Sequence, residues 1–147
     1  MNQDDELGFL VAINANAVLG ISISGGHFVL FTYDGPAGKL ATHQVLTVAN
    51  LAQQEAITGY NQVISVQSRR KDELFIVAKT EDTIHVFQLN YPNMKSVQLS
   101  FLKTMDKLVA DCICVSYEEP QFFVSTKNVI RKVLIDPNPG TKCLVSK

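Results

Sequence analysis

The sequence predicts an all-β protein in which one four-stranded antiparallel sheet is made three times in succession. Three observations carry that expectation. Short apolar runs rich in Val, Ile, Phe and Thr are broken by turn residues about every 8 to 12 positions. Three of those runs, His27 to Tyr33, Thr83 to Leu89 and Val129 to Ile135, alternate with a period of two, as a strand does when successive side chains face opposite sides. The same order of runs and turns recurs: Asp82 to Asn90 sits over Asn128 to Asp136 at an offset of 46 and over Gly26 to Asp34 at an offset of 56. With 147 residues, 46% hydrophobic and 18% charged, the chain has enough apolar material for one domain with a substantial core. That composition excludes a disordered chain, which has low hydrophobicity and high net charge.

The elements follow in order. In the first repeat, about 7–50, Leu7 to Ile13 and Val18 to Ser24 read as strands, Gly25-Gly26 as a hairpin turn, and Gly26 to Asp34 as a third strand. Asp34-Gly35-Pro36-Ala37-Gly38-Lys39 closes it with a turn, since an Asx side chain bonds the bending backbone and Pro presets φ. From Thr47 to Ile57, Val48, Leu51, Ala52 and Ala56 are loosely spaced for one helical face among the helix formers Gln53, Gln54 and Glu55, with Gly59 as a stop. The ten-residue difference between the two offsets falls on this stretch, so the expected short helix is an insertion in the framework. The second repeat, about 57–100, has strands at Val63 to Gln67, Leu74 to Thr80 and Asp82 to Asn90, then the turn Asn90 to Lys95. The third, about 107–147, has strands at Val109 to Val115, Gln121 to Thr126 and Asn128 to Asp136, then the turn Asp136 to Lys142, with Thr141 to Lys147 able to add a last strand.

Four antiparallel strands in a unit of about 40–50 residues describe a β-propeller blade. The middle repeat is more specific. Ile57-Thr58-Gly59-Tyr60 precedes a strand, Leu74 to Ala78 is a second, Glu81-Asp82-Thr83 is an Asp-containing loop, and Ile84 to Leu89 follows. This resembles a WD-repeat, best over about residues 57 to 100 and more loosely over 107 to 147 and 7 to 50. Tyr60 stands where the family has His, Phe87-Gln88 where it has Trp-Asp, and the chain has no Trp; Asp82 is the matching polar residue. The blades are therefore expected to hold together by apolar packing more than by the family's His, Asp and Trp bonds. The resemblance implies an all-β, WD-repeat-like propeller with an incomplete ring, acting as a non-catalytic protein–protein interaction scaffold or a subunit of a larger complex.

Propellers close with typically four to eight blades, so three would leave apolar faces uncovered. The expected partners are proteins, including another copy of the chain or the rest of a propeller. A formal charge of −1 argues against a nucleic-acid binder held by bulk charge. No apolar run approaches the roughly 18 residues of a membrane span. The acidic start, Met1 to Glu6, has the wrong sign for a secretory or mitochondrial leader. Three cysteines, Cys112, Cys114 and Cys143, suit a reducing compartment, cytoplasm or nucleus.

Candidate chemistry is sparse. Cys112 and Cys114 share one face of a strand, but zinc needs four ligands and only Cys143 remains, so they read as buried apolar residues. His27, His43 and His85 lie far apart and read as strand-surface residues. Asp4-Asp5-Glu6 and Glu118-Glu119 read as solvated ends and turns, and Phe28, Phe31, Phe75, Phe87, Phe122 and Phe123 as core. No catalytic set, metal site or cofactor site is expected. The residues expected to meet a partner are Tyr60, Arg69, Arg70, Lys71 and Tyr91, aromatic and cationic anchors near loops. In a propeller the Arg69-Arg70-Lys71 loop would share one end with Tyr117 to Pro120. Two other readings are a propeller-based enzyme and a compact α+β domain of trafficking or ligand-binding type, with the 47–57 helix packed on a sheet.

Overall fold

The computed structural model describes residues 6–22, 27–36, 38–49, 59–93, 96–105, 109–136 and 144–145. Four strands, β1 (Leu7–Asn14), β2 (Ala17–Ser22), β3 (Phe28–Asp34) and β4 (Lys39–Leu46), form a first antiparallel sheet in sequence order. A two-residue strand, β5 (Val48–Ala49), leaves that sheet and pairs parallel with the edge of the second. The second sheet then runs through β6 (Gln62–Gln67), β7 (Glu73–Lys79), β8 (Ile84–Asn90) and β9 (Gln98–Thr104), in spatial order β5-β9-β8-β7-β6. β10 (Cys112–Val115), β11 (Gln121–Thr126), β12 (Val129–Leu134) and β13 (Leu144–Val145) form the third, again in sequence order.

Local chemistry sets the turns. Between β11 and β12, Lys127 and Asn128 both have positive φ, 46° and 69°. Two such residues make the hairpin turn whose twist matches the flanking strands. The Asp111 carboxylate accepts the Lys127 N–H at 3.0 Å and holds that turn. Between β1 and β2 the Asn14 side chain accepts the Asn16 N–H at 2.9 Å.

Two cores hold the sheets together. The first joins the first and second sheets through Val11, Leu19, Ile21, Phe28 and Leu30 on one side and Leu74, Ile76, Ala78, Phe87 and Leu89 on the other. The second joins the second and third sheets through Val66, Phe75, Val77, Ile84 and Val86 against Ile113, Phe122, Val124 and Val133. The middle sheet is thus covered on both faces, and every residue of β7 is buried. This explains its sequence, Glu-Leu-Phe-Ile-Val-Ala-Lys, a continuous apolar run where a one-faced strand would alternate. β4 shows the opposite: all of it but Leu46 is exposed.

The opening strands of the sheets are neighbours, β1 beside β6 and β6 beside β10. At the second contact the Gln62 side chain acts as a strand would. Its amide donates to the Ile113 carbonyl at 2.6 Å and accepts the Ile113 N–H at 2.8 Å.

Among the described residues no further sheet packs on the outer faces of the first and third sheets. On the first, Leu10, Gly20, Val29 and Val45 pair in one row across four strands, with Leu10 69% and Val45 53% exposed. Gly20 is close-packed there: a Cβ on it would stand 3.0 Å from Leu7 and 3.2 Å from Phe31. On the third, Cys112, Ser125 and Ile130 form one row and Cys114, Phe123 and Lys132 the next. Lys132 Nζ lies 5.7 Å from the centre of the Phe123 ring.

Several expectations are corrected. Cys112 and Cys114 do share a face, but it is the outer one, and both are exposed free thiols. Phe28, Phe75, Phe87 and Phe122 are core, whereas Phe31 and Phe123 are half-buried on the outer faces. His85 is buried at 3% exposure, because the middle sheet has no open face to put it on. Among the described residues there is no helix; the start of the expected one, at Val48–Ala49, is β5, and residues 50–58 lie outside the described residues. What is described is sheet packed on sheet, antiparallel apart from the β5–β9 pair, and most of the stretch on which the α+β alternative rests lies outside the described residues. The Gly25-Gly26 turn and Cys143 also fall outside the described residues.

Candidate interaction site

The basic turn between β6 and β7 is built by a short chain of side-chain bonds. Ser68 Oγ accepts the Arg70 N–H at 3.0 Å and donates to Glu73 Oε1 at 2.7 Å. Glu73, only 5% exposed, takes a second bond on Oε2 from the Gln88 amide at 2.9 Å. A buried carboxylate is tolerated only when its lone pairs are met this way. Asp72 turns the chain with φ 58°, and its carbonyl accepts the Tyr91 N–H at 2.8 Å.

Arg69 reaches across to the third sheet. Its Nε donates to the Glu119 carbonyl at 2.9 Å. The facing loop, Ser116 to Gln121, is fixed in turn: Pro120 is buried, its carbonyl accepts the Ile135 N–H at 2.9 Å, and Lys132 Nζ stands 3.4 Å from Glu118 Oε2. The Arg69–Lys71 turn and the Tyr117–Pro120 loop therefore occupy the same end of the molecule. Between them opens a cavity of about 300 Å³, lined by Ser68, Arg69, Arg70, Glu73, Phe75, Pro120, Leu134 and Ile135. Phe75 and Ile135, each 1% exposed, are apolar core side chains reaching the seam of the two sheets. Arg69 and Arg70 are exposed, and among the described residues neither Arg70 nor Lys71 is paired with a carboxylate.

The five residues expected to meet a partner divide. Arg69, Arg70 and Lys71 lie together, exposed, on the turn. Tyr91 is half-buried at the same end, packed against the first core. Burial, and secondarily the Asp72 charge, raise its hydroxyl pKa above the usual tyrosine value. Tyr60 lies at the other end of β6 and is buried at 6% exposure, with its hydroxyl 2.7 Å from His85 Nδ1. The His85 ring stands edge-on to Tyr60, Phe87 and Phe101, at 5.6, 6.3 and 5.5 Å between ring centres. This cluster ties the approach to the first strand of the middle sheet to its third strand. Asp82, the polar residue matched in the resemblance, stays within its own turn, where it accepts from the Thr80 hydroxyl at 3.1 Å.

The sequence placed the Tyr117–Pro120 loop at this end but did not single out Ser68, Glu73, Leu134 or Ile135 for the site. The adjacency of a Ser and a Glu around three basic residues was the available signal, but Pro120 and Ile135 come from the next sheet. Among the described residues no group of three or more His, Cys, Asp or Glu could hold a metal ion. Among the same residues no helix is long and apolar enough to cross a membrane. The chain matches no protein-family model, and a search of curated proteins finds no match to it.

Proposed function

We propose that the chain is a non-catalytic protein–protein interaction module, a degenerate WD-repeat-like propeller segment of three blades that serves as a scaffold or as a subunit of a larger complex. The observation that carries the reading is the cavity at the seam of the second and third sheets, floored by apolar side chains and rimmed by two exposed arginines. Buried apolar pockets beside Arg anchors are the usual centres of protein interfaces. Consecutive four-stranded meanders, with each opening strand beside the next, support the propeller part of the proposal. The exposed apolar residues on the outer faces of the first and third sheets, Leu10, Val45 and Ile130 among them, suit further sheets, from another copy or from the rest of a propeller. Two exposed free thiols support a place in the reducing cytoplasm or nucleus.

The test is affinity capture with the tagged wild-type chain and the Arg69→Glu/Arg70→Glu variant, read by mass spectrometry. The expected result is a discrete set of proteins held by the wild type and lost from the variant. A wild-type chain that is folded and retains no protein overturns the reading.

A further inference from the structure

We propose that the seam cavity binds an acidic peptide segment, with one carboxylate held by Arg69 and Arg70 and the next, apolar, side chain seated on Phe75, Pro120 and Ile135. This rests on the interaction-module reading and names the ligand class for that site. The Arg69 side chain is tethered at the cavity: its Nε donates to the Glu119 carbonyl at 2.9 Å, and the residue lines the opening. Among the described residues the other N–H groups of the fork have no partner, and a planar fork suits a carboxylate bidentately. Arg70 adds a second cation on the same rim, with no acidic partner among the described residues.

The charge of the lining selects the ligand. Two guanidinium groups and the Glu73 carboxylate line the cavity, an excess of one positive charge. Glu73 already accepts from Ser68 and Gln88, so it is held in place and does not swing out to pair with the arginines. One carboxylate balances the rim. A phosphate, which carries nearly two negative charges, would face Glu73 with charge in excess. About 300 Å³ accommodates one or two side chains, not a long insertion.

The experiment uses the full chain and four capped hexapeptides in which a central Glu is followed by Leu, Ile, Phe or Tyr. Matched peptides carry Gln or phosphoserine in place of Glu. Binding is read by chemical-shift changes at Arg69, Arg70 and Phe75. The expected result is that at least one Glu peptide shifts those signals, that its Gln counterpart binds about tenfold more weakly or worse, the loss for a charge-assisted bond, and that its phosphoserine counterpart binds no more tightly than the Glu peptide. Arg70→Gln should weaken the Glu peptide similarly while leaving the unfolding midpoint unchanged, since Arg70 makes no side-chain bond to the fold among the described residues. Equal binding of Glu and Gln peptides, tighter binding of phosphoserine, or no binding of any peptide overturns the assignment. If the wild-type chain still captures proteins that Arg70→Gln captures equally, the cavity assignment fails and the module reading survives. If it captures none, the module reading itself fails.

Discussion

Tyr60, expected at the surface as a partner anchor, is instead buried at 6% exposure. Its position before a strand suggested a surface anchor, yet its hydroxyl bonds His85, 25 residues further on, inside an aromatic cluster. Nothing local signals such a partner; it exists only once β6 and β8 are placed in one sheet. Tyr60→Phe keeps the ring and removes the bond, leaving His85 Nδ1 without its hydroxyl partner. The expected cost is about 1–2 kcal/mol in urea unfolding, with the fold retained. Tyr91 supplies a pH signature. Its pKa is raised in the folded chain by burial and then by Asp72, so the neutral phenol is favoured by folding. The stability this gives is fully present below the unfolded value of about 10 and is lost as pH rises through the higher folded value. Between pH 9 and 11 the wild type should therefore lose stability faster than Tyr91→Phe; parallel curves would remove Tyr91 from the account.

At the scale of elements, the strands were legible because their turns were. The Asp34-Gly35-Pro36 and Asn90-Tyr91-Pro92-Asn93 turns separate the runs, and the third strand of each repeat falls where the alternation was clearest, at β3, β8 and β12. Alternation gives which residues share a face but not which face is covered. That is why Cys112 and Cys114 were grouped correctly and placed on the wrong side. It is also why β8, which alternates like β3 and β12, turned out to be mostly buried on both faces. The transfer of Val48–Ala49 onto the second sheet was not legible, because a two-residue parallel pairing leaves no periodic trace. The joint between the second and third sheets depends on Gln62, whose amide meets both backbone groups of Ile113. Gln62→Ala should cost about 2–3 kcal/mol, two hydrogen bonds with the Ile113 N–H and carbonyl left unmet. The loss should be local: amides of β10 to β12 should exchange faster in the variant while β7 and β8 stay protected.

The described residues form three sheets with two buried joints, and the candidate site opens at one end of the second joint. The site depends on that stacking. Arg69 and Arg70 come from the middle sheet, Pro120 and Ile135 from the third, and no single repeat contains the cavity. The repeat placed the basic turn and the Glu-Glu-Pro loop at one end, but the contact of Arg69 with the Glu119 carbonyl comes only from the packing of sheet on sheet. The most direct measurement is hydrogen exchange on the intact wild-type chain, resolved by strand. β7 and β8 are hydrogen-bonded on both edges and covered on both faces, so their amides should exchange slowest, near the rate set by global unfolding. β4, with an open face and an open edge, should exchange much faster. If β7 and β8 exchange as quickly as β4, the middle sheet is not enclosed between the other two, and the stacked arrangement with its seam cavity is wrong.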